Sequence, residues 1–76
     1  MASVAQVFGS SLQSMRTRHG LTQKQLGALT KMSASFIGEM ERGLKAPNLE
    51  GVVAIAWALR VSVEEMVVGF NTAEPR

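Results

Sequence analysis

Residues 23–43, "QKQLGALTKMSASFIGEMERG", contain two short helical segments, and this stretch decides the fold. Thr22 opens a capping box, which predicts a helix that runs to about Thr30. Ser33 is the expected N-cap of a second helix, which ends at Gly43. Two short helices joined by only a few residues have the geometry of a helix-turn-helix, and the same spacing also fits an ordinary helical hairpin.

The apolar side chains of this segment are spaced so that each helix buries one face. The side chains expected on these buried faces are Leu26, Leu29, Met32, Ile37 and Met40. Gly27 falls where the two helices cross most closely. A longer side chain at this position would meet the second helix, so we expect only Gly or Ala to be tolerated there.

One helix is predicted before this segment and another directly after it. The first covers about residues 4–18, where apolar side chains recur at helical spacing and Gly20 follows as a left-handed C-cap. The fourth helix is expected to begin after Pro47 and Asn48. Its apolar stripe consists of Leu49, Val52, Ile55, Ala56 and Leu59.

A fifth, short helix is predicted near the end of the chain. Ser62 and Glu65 have the spacing of a capping box, and the helix is expected to run to about Val68. No segment alternates with period two, so we expect no sheet. The sequence therefore predicts an all-α fold with one compact five-helix domain over residues 1–70, followed by a flexible tail over residues 71–76.

The charge of the chain is unevenly distributed. Residues 1–48 carry six Lys or Arg against two Glu, a net charge of +4, whereas residues 49–76 carry two against four, a net charge of −2. The basic half is suited to facing a polyanion. The alternative is a small domain whose surface charges are uneven by chance.

Other classes of function find little support in the composition. The chain has no cysteine for thiolate metal sites, and His19 is its one histidine. No acid, base or nucleophile constellation stands out, so we expect no enzyme, no metal and no cofactor. The longest run of apolar residues and glycine, residues 51–59, is far shorter than the roughly 20 residues of a membrane span, so we expect a soluble, cytoplasmic protein. A core this small would be stabilised by self-association.

Three pieces of the sequence, "GLTQKQLG", "FIGEMERG" and "APNLEGVVAIAWAL", occur in the order and spacing of a known family. Over residues 8–67 the chain resembles the Cro/CI-type (XRE family) helix-turn-helix transcriptional regulators. The resemblance implies a lambda-repressor-like domain that binds double-stranded DNA, usually as a homodimer on a two-fold operator. The chain departs from the family at Lys31, where glycine is common, and at Thr30, where a larger aliphatic residue is common.

The resemblance also implies roles for individual residues. The positions that the family points into the major groove are Ala34, Ser35, Gly38 and Glu39. The positions expected to contact phosphates are Thr22, Gln23, Arg42, Lys45 and Asn48, although Arg42 and Lys45 also fit simple solvated charges. Free N–H groups in the first turn of the second helix favour a phosphate there. Arg16 and Glu41 match the family's internal ion pair between helix one and the end of helix three.

The base-reading positions carry no Arg, Lys, Asn or Gln, so the usual bidentate contacts to bases are missing. Ala34 offers a methyl group to thymine, Ser35 a hydroxyl, and Gly38 a close approach of the backbone. Glu39 either accepts a hydrogen bond from a cytosine amino group or pairs with Arg42 one turn later. Specificity is therefore expected to depend on operator shape and on the geometry of a dimer.

A second apolar surface is predicted on helices four and five, about residues 49–68. Its members are Val53, Trp57, Val61, Val68 and Phe70. We expect a homodimer through this surface; alternatively, Trp57 folds against helix one or the tail, or it binds a different protein.

The combined expectation is a small repressor or autoregulator on a pseudopalindromic operator, similar to phage Cro-like or restriction-modification controller proteins. No small-molecule ligand and no membrane contact are expected. The alternative is an antitoxin-like or adaptor protein that binds another chain and for which DNA binding is secondary.

Overall fold

Residues 2–66 are described by the computed structural model of the protein, which shows four complete helices and the start of a fifth. The helices are α1 (Val4–Arg18), α2 (Gln23–Thr30), α3 (Ala34–Glu41), α4 (Leu49–Ala58) and α5, which begins at residue 63. No strand occurs within these described residues. The predicted all-α, five-helix fold is therefore confirmed. The predicted end of the fifth helix at Val68 and the predicted tail over 71–76 lie outside the described residues.

Side-chain oxygens fix the first residue of each helix. The four complete helices follow N-caps whose side chains accept a backbone N–H of the first turn, namely Ser3, Thr22, Ser33 and Asn48. The predicted capping boxes at Thr22 and at Ser62 are both present, each closed by a side chain three residues later. The helix starts predicted from capping residues are thus confirmed, because the caps satisfy N–H groups that lack a partner inside the helix.

One apolar core lies between the helices. α1 packs on α3, and α2 packs on both α3 and α4. Ser11 in α1 also donates a hydrogen bond of 3.4 Å to the carbonyl oxygen of Met66 in α5. The core is formed by Leu12, Met15, Leu26, Ile37, Met40, Ile55, Ala56, Leu59 and Met66. Because α3 contributes Ile37 and Met40 to this core, the orientation of its outward face is set by the core.

Two leucines predicted to be buried are exposed instead. Leu29 is 59% exposed and Leu49 is 76% exposed. Leu49 precedes Ile55 by six residues, which at about 100° per residue places it roughly 120° around the helix from the core side. Leu29 is turned about 60° from Leu26 and lies beside α4 rather than under α3. These two residues belong to a surface and not to the core.

Two glycines allow backbone segments to approach closely. A Cβ atom on Gly27 would lie 2.5 Å from the carbonyl oxygen of Met32. The prediction that alanine is tolerated at Gly27 is therefore wrong, because the obstacle is the backbone of the turn and not a movable side chain. Gly9 in α1 was not anticipated: a Cβ atom there would overlap the carbonyl oxygens of Met40 and Glu41. Gly9 thus permits the close contact between α1 and the end of α3.

The turn between α2 and α3 depends on an unusual backbone conformation. Lys31 has φ 61° and ψ 35°, in the left-handed region, and it is the C-cap of α2. This is the position at which the resembled family often carries glycine. Its left-handed conformation explains that preference, because a residue with a Cβ atom is strained there.

Candidate nucleic-acid interface

A buried hydrogen-bond network connects α1, α2 and α3. Arg16 donates from Nε to Oε2 of Glu41 and from Nη2 to Oε1 of Glu41 at 3.0 Å. Gln23 donates from Nε2 to the same Oε1 atom at 3.0 Å. Arg16 Nη1 also donates to the carbonyl oxygen of Leu21 at 2.7 Å. The network therefore joins the end of α1, the loop before α2, the first turn of α2 and the last turn of α3.

The pair formed by Arg16 and Glu41 is shielded from water. The two side chains are only 11% and 3% exposed. The hydrogen bond to Glu41 raises the pKa of Arg16 above its ordinary value, whereas burial opposes this shift. A pair of this kind orients α3 and does not need to add net stability, because both charges lose water.

Gln23 lies against the middle of α3. A Cβ atom on Gly38 would be 3.3 Å from Oε1 of Gln23, and Gly38 is buried. In the free chain the Gln23 side chain therefore covers Gly38, the position at which the backbone was predicted to approach DNA closely. Of the two hydrogens on Nε2 of Gln23, one is directed to Glu41, which leaves one donor for a phosphate.

The outward face of α3 presents few donors. Ser35 is exposed, whereas Ala34 and Glu39 are half-buried. Ser33 caps the helix by accepting the N–H of Phe36 at 3.0 Å. Within residues 2–66 no ion pair joins Glu39 to Arg42. In the free chain the Glu39 carboxylate therefore does not hold the Arg42 guanidinium.

The loop after α3 carries the predicted phosphate contacts. Gly43 has φ 76° and donates to the carbonyl oxygen of Met40, which ends α3 and turns the chain away. Arg42 and Lys45 on either side of this turn are exposed. Asn48 accepts the N–H of Gly51 at 2.8 Å through Oδ1, so only its amide nitrogen is available to donate to a phosphate.

Leu44 in the same loop was missed by sequence reasoning. Its side chain is 65% exposed between the two cations Arg42 and Lys45. The sequence signal that could have located Leu44 is Gly43, because the residue after a left-handed glycine at a helix end commonly donates its N–H back to the helix. The N–H of Leu44 does so to the carbonyl oxygen of Glu39.

The predicted self-association surface is only partly assembled. Val53 is 38% exposed and Trp57 is 81% exposed, so Trp57 is not folded against α1. Val61 instead packs against the core and is half-buried, because the chain turns at Arg60, which has φ 58°. Val68 and Phe70 lie outside the described residues.

Val53 and Trp57 line a groove between α2 and α4, which we call the α2–α4 groove. Its volume is about 760 Å³. Leu29 and Lys31 line it from the end of α2. Leu49 and Glu50 line it from the first turn of α4, together with Val53 and Trp57. The two leucines that were expected in the core therefore form one surface with the exposed tryptophan.

Two further properties limit what the described part of the chain contains. None of its helices has the length and apolar character needed to cross a membrane. Residues 2–66 also hold no group of three or more His, Cys, Asp or Glu that is arranged to bind a metal ion.

The arrangement of α2, the left-handed turn and α3 on an all-α core defines a helix-turn-helix domain of the lambda-repressor-like class. A family model described as "Helix-turn-helix domain" matches residues 7–67. The chain therefore belongs to this family and contains an XRE-like helix-turn-helix domain.

Similar proteins of known sequence or structure agree with this assignment. The chain is 34% identical over 67 residues to the uncharacterized HTH-type transcriptional regulator Rv0474 of Mycobacterium tuberculosis, covering 88% of this chain and 48% of that protein. It is 33% identical over 61 residues to the uncharacterized HTH-type transcriptional regulator y4dJ of Sinorhizobium fredii, covering 80% of this chain and 79% of that protein. The chain thus spans about half the length of the Mycobacterium tuberculosis relative.

A solved structure resembles the chain over most of its length. The restriction-modification controller protein C.AhdI from Aeromonas hydrophila superimposes with a TM-score of 0.79 at 32% sequence identity. The match covers 82% of this chain and 94% of the C.AhdI chain.

Proposed function

We propose that the chain is a sequence-specific DNA-binding transcriptional regulator that acts as a homodimer on a pseudopalindromic operator. One observation carries the proposal: the first turn of α2 stands against the middle of α3, where Gln23 contacts both Gly38 and Glu41. The end of α2 that favours an anion is thereby held beside the outward face of α3. Ser35, Glu39 and Arg42 follow one another on that face at spacings of four and three residues.

Phosphate contacts supply most of the affinity in this proposal. Thr22 and Gln23 present the first turn of α2, whose free N–H groups and positive dipole end favour an anion. Arg42 and Lys45 are exposed on the loop after α3, and Asn48 is the N-cap of α4. Such contacts set the position of the protein on the duplex and carry no base preference of their own.

Base preference comes from a small set of groups on α3. The methyl group of Ala34 packs on a thymine methyl, the hydroxyl of Ser35 donates or accepts, and Glu39 accepts from a cytosine amino group. The remaining specificity comes from the shape and deformability of the operator and from the spacing of two copies of α3 by about 34 Å. As a homodimer the protein represses or autoregulates by occupying its site, needs no cofactor or small-molecule ligand, catalyses no reaction and works in the cytoplasm. The controller role of C.AhdI makes a restriction-modification controller one candidate subclass.

Selection of binding sites from random duplexes by the intact chain tests the proposal. We expect two related half-sites in inverted orientation, separated by about one helical turn of DNA. In a base-by-base scan of the selected site, Glu39→Ala is expected to remove the preference for cytosine at one position of each half-site. Recovery of no enriched sequence would contradict sequence-specific binding. Equal weakening at all positions would show that Glu39 positions the protein and does not read a base.

A second candidate is an antitoxin-like or adaptor protein with secondary DNA binding. Two observations favour it: α3 offers few long donors, and Trp57 is exposed on the α2–α4 groove. Size-exclusion chromatography of the pure chain, followed by a gel shift with DNA from upstream of its own gene, separates the two candidates. A monomer that fails to shift this DNA would support the adaptor.

A further inference from the structure

The α2–α4 groove places exposed apolar side chains from two helices on one surface. Leu29, Leu49 and Trp57 are all more than half exposed, and Val53 lies between them on α4. Given that an aromatic side chain alone offers about 150–250 Å², this surface amounts to a few hundred Å² of apolar area. Apolar patches of this size on small proteins commonly mark a binding site.

We propose that a second copy of the chain docks on the α2–α4 groove, so that Trp57 of each copy enters the groove of the other. The proposal rests on the proposed homodimer and specifies its interface. It adds α2 of the helix-turn-helix to that interface and excludes Val61, which packs against the core.

The shape of the surface fits a symmetric contact. The same patch carries a recess between α2 and α4 and a projecting group, the indole ring of Trp57. A two-fold axis through the patch brings each projection to the recess of the other copy, and the contact closes after two chains. A patch with a recess alone would need a partner of different shape.

The helical spacing on α4 supports the same contact. Glu50, Val53, Ala54 and Trp57 stand at positions i, i+3, i+4 and i+7, which is one continuous stripe of the helix. This stripe is separate from the core side of α4. The small side chain of Ala54 at its centre permits close approach of an antiparallel copy of α4. In such a pair the end of the stripe at Glu50 meets the end at Trp57 of the other copy.

The charges of the groove also match a second copy. Lys31 lines the groove together with Leu49 and Glu50 of the first turn of α4. An antiparallel copy therefore brings its Trp57 indole to the end that carries Lys31, and a cation is attracted to the face of an indole ring. Lys31 and Glu50 together leave the rim of the groove without net charge, so two copies do not repel each other.

DNA binding and this contact use different residues. No residue that lines the α2–α4 groove is among the predicted base or phosphate contacts. Both surfaces are therefore available at once, as an operator-bound dimer requires. The area is smaller than that of a standard stable interface, so we expect a weak dimer that a two-site operator strengthens.

Sedimentation equilibrium of the intact chain over a range of concentrations tests the contact. We expect a monomer–dimer equilibrium, and the emission of Trp57, the one tryptophan, should shift to shorter wavelengths as the dimer forms. Leu29→Glu and Trp57→Glu should each raise the dissociation constant at least about tenfold, since each introduces a charge into the apolar contact. Val4→Glu and Val63→Glu change exposed apolar side chains that do not line the groove, and they should leave the constant unchanged.

Two results would overturn the proposal. One is a wild-type chain that sediments as a monomer at every concentration. The other is a Leu29→Glu variant that dimerises like the wild type while Trp57→Glu does not, because the interface would then exclude α2. Anisotropy of a short labelled duplex at low salt reports DNA binding separately. A wild-type chain that dimerises but does not bind the duplex would count against the proposed function and leave the docking contact standing.

Discussion

At the scale of single residues, the Glu41 carboxylate accepts three hydrogen bonds from other side chains. One of its oxygens accepts hydrogen bonds from both Arg16 and Gln23, and the other accepts from Arg16. The sequence suggested only the pair with Arg16. The link to Gln23 means that the same carboxylate orients a residue expected to touch a phosphate. We therefore expect Glu41 to affect both folding and DNA binding without contacting DNA.

Replacing Glu41 with Ala should destabilise the fold strongly. The guanidinium of Arg16 would stay largely buried without its carboxylate, which costs about 3–5 kcal/mol of unfolding free energy. Thermal denaturation followed by circular dichroism should show a melting temperature lower by more than about 10 °C. Glu39→Ala is the matched control, with an expected change within about 0.5 kcal/mol. A Glu41→Ala variant that melts like the wild type would show that the pair does not hold α3.

At the scale of elements, the turn between α2 and α3 contains a local conflict. Lys31 adopts a left-handed conformation that favours glycine, and the neighbouring Gly27 has no space for even one additional carbon atom. The turn is therefore formed because the buried faces of α2 and α3 require it, at a cost in backbone strain. Arg60 after α4 adopts the same left-handed conformation.

Replacing Lys31 with Gly should stabilise the protein. Removing the Cβ atom relieves the left-handed strain, and we expect a gain of about 0.5–1 kcal/mol after the greater freedom of the unfolded glycine is subtracted. Urea denaturation should show a higher midpoint with an unchanged slope. Arg60→Gly should act in the same direction, whereas Lys24→Gly within α2 should cost about 1 kcal/mol. A Lys31→Gly variant that unfolds at lower urea would contradict this explanation of the turn.

At the scale of the whole molecule, the two proposed binding surfaces are separated in space. The face formed by Gln23, Ser35, Arg42 and Lys45 is polar and basic, whereas the α2–α4 groove is apolar and carries no net charge at its rim. α2 contributes its first turn to one surface and its last turn to the other. A weak contact between two copies and a weak contact with each half-site can therefore reinforce one another on the same DNA molecule.

Operator binding should depend steeply on salt because phosphate contacts release counterions. If Lys45 contacts one phosphate in each copy, Lys45→Ala should reduce the slope of log K against log salt concentration by about 2 for a dimer. Titrations of a labelled operator at several salt concentrations measure this slope. Arg60→Ala removes an exposed cation outside the predicted DNA face and should leave the slope unchanged. A slope near zero for the wild type would argue against the DNA-binding proposal.

Local signals explain how much of this protein was predictable. The capping residues Thr22 and Ser33 and the box at Ser62 act within one turn of their own helix, so the sequence located these helix starts correctly. The core residues Leu26 and Ile37 were found because their helical spacing places them on one face. The phosphate and base contacts on α2 and α3 remain predictions, since they depend on a duplex.

By itself, the sequence determined the helices and their caps, because these depend on neighbours within a few positions along the chain. It also determined the family, because three motifs occur in the family's order and spacing over residues 8–67. Only the tertiary structure decided which apolar side chains remain exposed. Leu29 and Leu49 fit a buried stripe as well as Leu26 does, yet they lie on the sides of α2 and α4 that no other described helix covers. Burial depends on the angle at which helices meet, and that angle is set by distant contacts such as Gly9 on α3. The α2–α4 groove lies where α2 packs on α4 and leaves the side chains of Leu29 and Leu49 exposed.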